Sequence, residues 1–134
     1  MTAWSVAAIV LVIAAGASTR VSAQTQMPTY SGETDYQEYC SSCHGDGAKG
    51  DGAFATSLLR RPSDLTTLAR RNRGRFPKEK VFKAVDGRRR FVHPDSDMPA
   101  WAGMFAADVE SSGAEKAAAR INALVKYLQT LQVK

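Results

Sequence analysis

A chain of 134 residues has room for one domain, and removing an amino-terminal targeting segment would leave a folding unit of about 110 residues. A unit of that size builds only a thin hydrophobic core, which a bound cofactor would help to fill. Its 18 basic and 13 acidic side chains leave a net charge of +5, which suits an acidic protein partner. The run Arg70-Arg71-Asn72-Arg73-Gly74-Arg75 would also suit nucleic acid, a reading that export of the chain excludes.

Export is read from the first residues. Ala3 to Ala17 is rich in Ala, Val, Ile and Leu and too short to span a bilayer comfortably. Val21-Ser22-Ala23 then offers small residues where a signal peptidase reads, so residues 1–23 are expected to be a signal peptide and 24–134 the mature domain. Met1 to Trp4 carries no Lys or Arg, and an uncleaved anchor is the alternative; membrane contact is expected only in that case. Either way the domain is expected outside the cytoplasm, in the periplasm.

Ser31-Gly32-Glu33-Thr34-Asp35 predicts a helix start, after which Tyr36, Tyr39, Cys40 and Cys43 recur at helical spacing. The helix is expected to end in Cys40-Ser41-Ser42-Cys43-His44, which holds both cysteines of the chain. A zinc site would need two more ligands, but His93 is the only other histidine. A thioredoxin-like pair would need a βαβ setting that this sequence lacks, and a plain disulfide leaves His44 without a role. Covalent attachment of one haem c uses every residue: two thiols add to two vinyl groups, and the imidazole reaches the iron. Residues i and i+3 share a helical face, so Cys40 and Cys43 can reach neighbouring vinyls while His44 points beneath the ring.

Gly45-Asp46-Gly47-Ala48-Lys49-Gly50 formally matches GxGxxG, but a helix precedes it where a dinucleotide fingerprint needs a strand. Its glycines are better read as left-handed turns and a close backbone approach to the haem edge. Ser63-Asp64 can cap a short helix bearing Leu65, Leu68 and Ala69 that stops near Asn72 to Gly74. Pro77 opens another, with Val81, Phe82 and Val85 facing inward and Gly87 closing it. Asp95 to Trp101 is predicted as a loop. The last element opens on a capping box, Ser112-Gly113-Ala114-Glu115, and its stripe of Ile121, Leu124, Val125, Leu128 and Leu131 should pack across the first helix. No segment alternates with period two over a useful length, so the expectation is one all-α domain.

An iron held by His44 has one more axial position, for which Met98, His93 and Met104 are candidates, beside an open site. Met98 lies in the predicted loop, where packing requires no methionine, and Pro99 restricts its backbone to extended form. Met104, followed by Phe105, reads as core or pocket filling. His93 reads as a solvated loop histidine.

Taken together, these residues resemble the class I c-type cytochromes, in particular the short bacterial monohaem domains. The resemblance spans about Tyr30 to Gln132 and rests on CSSCHG at Cys40 to Gly45, PSDLT at Pro62 to Thr66, RNRGRFP at Arg71 to Pro77, VDG at Val85 to Gly87, DMPAW at Asp97 to Trp101, and the run Ile121 to Gln132. It implies the cytochrome c fold, with amino- and carboxy-terminal helices crossing and short helices and loops wrapped round the haem. It implies His44 as proximal and Met98 as distal iron ligand, the Pro62 carbonyl as acceptor for the second imidazole N–H of His44, and Trp101 as a pocket or propionate residue. For Pro62 a helix-start role, and for Trp101 plain core packing, remain equally open. The motif's early position also separates the chain from the four-helix gas-binding cytochromes. Ala102-Gly103 departs from similar domains, where Gly often follows the Trp directly, and Arg88-Arg89-Arg90 is unusually basic.

The function expected is single-electron transfer by a periplasmic carrier, not catalysis, with a positive potential, because a thioether ligand and an apolar pocket both favour ferrous iron. Redox partners with acidic docking surfaces are expected: a dehydrogenase, an oxidase or another cytochrome. The alternatives are a dedicated subunit of a periplasmic dehydrogenase complex and a gas sensor or haem enzyme with an open distal site.

Overall fold

Ser31 starts the first helix, α1 (Gly32–Tyr39), with its hydroxyl accepting the Thr34 amide at 3.2 Å and with Glu33 and Asp35 in the first turn. The computed structural model describes residues 29–88, 97–107 and 113–133. The segment 1–23, Arg89, Arg90, His93 and the Ser112 cap lie outside the described residues. At Cys40 the helix breaks for one residue, and a second turn, α2 (Ser41–His44), follows at once. The break is shallow, because the amides of Cys43 and His44 both donate back to the Cys40 carbonyl, at 3.2 and 2.8 Å.

A glycine-containing loop leads through a 3-10 turn (Ala55–Ser57) to Asp64. There the carboxylate caps a second 3-10 turn (Leu65–Thr67), accepting from the Thr66 amide at 2.8 Å and the Thr66 hydroxyl at 2.6 Å. The short α3 (Leu68–Arg71) continues it and ends where Arg73 and Gly74 adopt positive φ, at the predicted stop. Next, α4 (Lys78–Asp86) starts directly after Pro77 and buries Val81 and Val85; Gly87 closes it in the left-handed conformation.

The described part of the predicted loop, residues 97–100, is without helix. Beyond it stands a helix that period reading did not find, α5 (Trp101–Ala107), which buries Trp101, Ala102 and Phe105. Met104 falls on its outer side, 47% exposed, so of its two expected roles, core or pocket filling, the core one is corrected. A seven-residue element holds too few turns for its period to stand out, and Gly103 weakens the helical signal further.

The long α6 (Gly113–Thr130) completes the fold, with Ile121, Leu124, Val125 and Leu128 buried and Leu131 packed against the same core. It crosses α1 so closely that a Cβ on Gly32 would collide with the Ala123 carbonyl. Tyr36, Ile121 and Leu124 are the largest fully buried side chains, and each buried aliphatic stabilises the crossing by about 1.5–3 kcal/mol. An ion pair joins the same two helices: Arg120 Nη2 lies 2.8 Å from Asp35 Oδ1, with the two side chains 14% and 8% exposed.

The carboxyl end ties α6 to the middle of the chain. Gln132 Oε1 accepts the Ala69 amide at 2.9 Å, its Nε2 donates to the Leu65 carbonyl at 2.8 Å, and the Val133 amide donates to the Thr66 carbonyl at 2.9 Å. Among the described residues there is no strand, and the fold is all-α, with its terminal helices crossing.

Candidate functional site

Cys40 and Cys43 stand three residues apart on the turn that joins α1 to α2, and both thiols are free. Burial, followed by the negative charge of Asp35, pushes the Cys40 thiol up to about 12. It therefore stays protonated at neutral pH, whereas nucleophilic redox exchange needs the thiolate. Among the described residues no group of three or more His, Cys, Asp and Glu side chains is placed to hold a metal ion.

The His44 ring is fixed by a bond of 3.1 Å between Nδ1 and the Ser63 carbonyl. A carbonyl only accepts, so Nδ1 carries the proton and the lone pair of Nε2 is left for a metal. Burial lowers the pKa of the imidazole, an effect that the Ser63 carbonyl partly opposes, so the ring is neutral at neutral pH. The expected acceptor was the Pro62 carbonyl. That carbonyl instead faces Gly50, where a Cβ would collide with it and φ is 76°. With Pro62 turned toward the loop, the next carbonyl in the chain meets the ring.

Gly50 donates its amide to the His44 carbonyl at 2.8 Å and accepts from Arg61 Nε at 3.3 Å, while Leu65 donates to the Ala48 carbonyl at 2.8 Å. The loop is thus folded against α2, and its tight backbone approaches are to the chain itself, Gly50 to the Pro62 carbonyl and Gly52 to the Ser41 and Ser42 carbonyls. Tyr36 adds a buried bond of 2.6 Å from its hydroxyl to the Gly45 carbonyl, just beyond His44. Desolvation raises the Tyr36 pKa, so the phenol remains a donor.

Met98 lies on a segment without regular secondary structure ahead of α5 and is 37% exposed. The preceding residue anchors it, since Asp97 Oδ2 accepts the Leu59 amide at 2.8 Å. Leu59 stands four residues before Ser63, so one loop carries both the partner of His44 and the tether of the Met98 segment. Trp101 is buried, with its ring centroid 5.5 Å from Tyr39 and 5.9 Å from Phe105. That places it in the aromatic core beside Cys40. His93 lies outside the described residues.

This donor set fits a haem. Two thiols at i and i+3 match two vinyl groups, and a neutral imidazole offers Nε2. Leu59, 86% exposed, and Met98 present apolar surface that a hydrophobic macrocycle would cover. Reading the sequence missed four contributors. The Ser63 carbonyl is a backbone group and leaves no signature. Tyr36 registered only as an apolar helical position. Asp97 and the Asp35–Arg120 pair join residues far apart in the chain, and only the aspartate directly before Met98 offered a local clue.

No curated protein and no solved structure matches the chain. A family model described as cytochrome c oxidase, cbb3-type, subunit III matches residues 28–128, which takes in the Cys40–His44 turn, Met98 and most of α6. The chain belongs to that family, a class I type of cytochrome c domain, which implies covalently bound haem c and haem-based electron transfer.

Proposed function

We propose that the protein is a periplasmic single-electron carrier with one haem c, attached through Cys40 and Cys43 and held axially by His44 and Met98. Haem c when bound supplies a one-electron iron couple. What supports the reading most is the His44 ring, neutral and with Nδ1 committed to the Ser63 carbonyl, a partner that orients a ligating imidazole and raises its basicity. On the other side, Pro99 and the Asp97 tether stiffen the segment that offers the Met98 thioether. With haem bound, His44 and Met98 on their braced segments would both hold the iron, an arrangement that would suit electron transfer over chemistry on a substrate. Pro62, which shapes the loop, and Trp101, which backs the Cys40 turn, line the pocket in this reading.

Charge is segregated along the chain. From Arg60 to Lys83 the only acidic side chains are Asp64 and Glu79, whereas from Thr29 to Leu59 the only basic one besides His44 is Lys49. Arg70, Arg71, Arg73, Arg75, Lys78 and Lys80 are all exposed. Such a surface steers docking to an acidic redox partner, and the association weakens with salt.

The deciding experiment is an optical spectrum of the purified holoprotein in both redox states, with voltammetry. Methionine ligation gives a weak long-wavelength ferric band and a positive midpoint. Bis-histidine features with a negative midpoint would reject Met98. A second reading, a dedicated electron-relay subunit, is favoured by the family's description as an oxidase subunit. Size exclusion of native extract separates the two: a carrier elutes near its own mass, a subunit with its complex.

A further inference from the structure

The proposed site uses Cys40, Cys43, His44 and Met98 and leaves a buried ion pair without a task. Arg120 on α6 grips Asp35 on α1 as a fork: Nε lies 3.0 Å from both carboxylate oxygens, and Nη2 lies 2.8 Å from Oδ1. The guanidinium faces three rings, 4.4 Å from the centroid of Phe105, 5.1 Å from Tyr39 and 6.0 Å from Tyr30. The Asp35 carboxylate, hydrogen-bonded to the guanidinium, holds its proton more firmly than in a free arginine.

These rings are not incidental to the site. Tyr39 immediately precedes Cys40 and packs edge-on, at 5.5 Å, against both Trp101 and Phe105 of α5. Trp101 follows Met98 by three residues. If two helices only needed joining, apolar side chains of similar volume would do so at least as well, because a buried ion pair recovers little beyond its own desolvation. What a guanidinium adds is direction: its plane is set by the carboxylate fork, and aromatic faces stack on it at a defined angle.

We propose that Arg120 is a positioning residue for the distal ligand. Anchored on Asp35, it fixes the Tyr39–Phe105–Trp101 cluster and thereby holds the Asp97–Ala100 segment, with Met98, in register with the Cys40 turn. The inference rests on the His44/Met98 reading of the site.

Two variants test it in the holoprotein. Arg120→Lys keeps the charge and loses the fork, and the double variant Asp35→Asn/Arg120→Gln keeps a polar side chain at both positions and removes both charges. Haem should remain covalently attached in each. The long-wavelength ferric band should weaken, and carbon monoxide should bind the ferrous protein about tenfold faster, the change that losing one charge-assisted hydrogen bond produces. If the band and the carbon monoxide rate stay at parental values while only the melting temperature falls, the pair is structural and the inference is wrong. Should the lysine variant not fold, the double variant decides alone. A parent protein that itself lacks the band would reject Met98 ligation, and the inference with it. A parent with the band and variants indistinguishable from it would reject the inference only.

Discussion

The two sides of the proposed haem site are built in different ways. The proximal side is a local object: Cys40, Cys43 and His44 sit within one turn, and the Cys40 carbonyl accepts the amides of both Cys43 and His44. The distal side is a tertiary object. Met98 is brought in by a non-helical segment whose described anchors are Asp97 on the Leu59 amide, Gly87 against Ala100, and the rings of α5 against Tyr39. Local geometry forms wherever the helix forms, whereas tertiary geometry is as stable as its weakest brace. Attachment of haem and control of its sixth position should therefore fail separately.

The largest expected effect breaks the proximal side alone. Replacing both cysteines, Cys40→Ala with Cys43→Ala, removes the thioether bonds, and haem staining of a denaturing gel should fall to background. Met98→Ala is the complementary break. Haem should stay on the gel, while the midpoint drops by on the order of 100 mV, a part of the ~0.8 V that axial ligands span. If that variant kept both the midpoint and the ferric band, the distal ligand would have to be another methionine, Met104. Smaller again is Tyr36→Phe, which strips the buried donor from the Gly45 carbonyl. It should cost about 1–3 kcal/mol in chemical denaturation and leave the midpoint near the parental value.

The same contrast sets what could be read without a structure. The α6 stripe and the Cys40 to His44 motif were legible because their information lies within a few residues of itself, at helical period or at fixed spacing. The crossing of α1 with α6 followed from two apolar faces needing cover, although nothing announced that Gly32 is what lets the backbones touch. The acceptor for His44 was missed by one residue. Sequence marks side chains, and the choice between the Pro62 and Ser63 carbonyls is made by how the loop turns over Gly50. Likewise α5 hid behind Pro99 and Gly103, residues that read as loop, until Trp101 and Phe105 found Tyr39 to pack against.

The smallest effect probes the hinge between the two sides, where the chain leaves Ser63. Asp64 caps the turn that follows, and Gln132 and Val133 hold that turn from the carboxyl end. Asp64→Ala should cost about 1 kcal/mol, as for the loss of an N-cap. The Thr66 hydroxyl, hydrogen-bonded to the carboxylate, holds the Asp64 pKa below its usual value, with the Thr66 amide and the charges of Arg71 and Arg70 adding to it. The folded state therefore binds this proton less readily than the unfolded one. The stabilisation is complete above the ordinary carboxylate range near pH 4 and is lost as pH falls through the lower folded value. Denaturation of parent and variant should then differ at pH 7 and converge toward pH 2. A difference that persisted at pH 2 would mean that Asp64 acts through the shape of the turn and not through its charge. The variant should also loosen the Ser63 carbonyl from His44 while Met98 keeps its tether, because Asp97 grips the chain five residues upstream of Asp64, at Leu59.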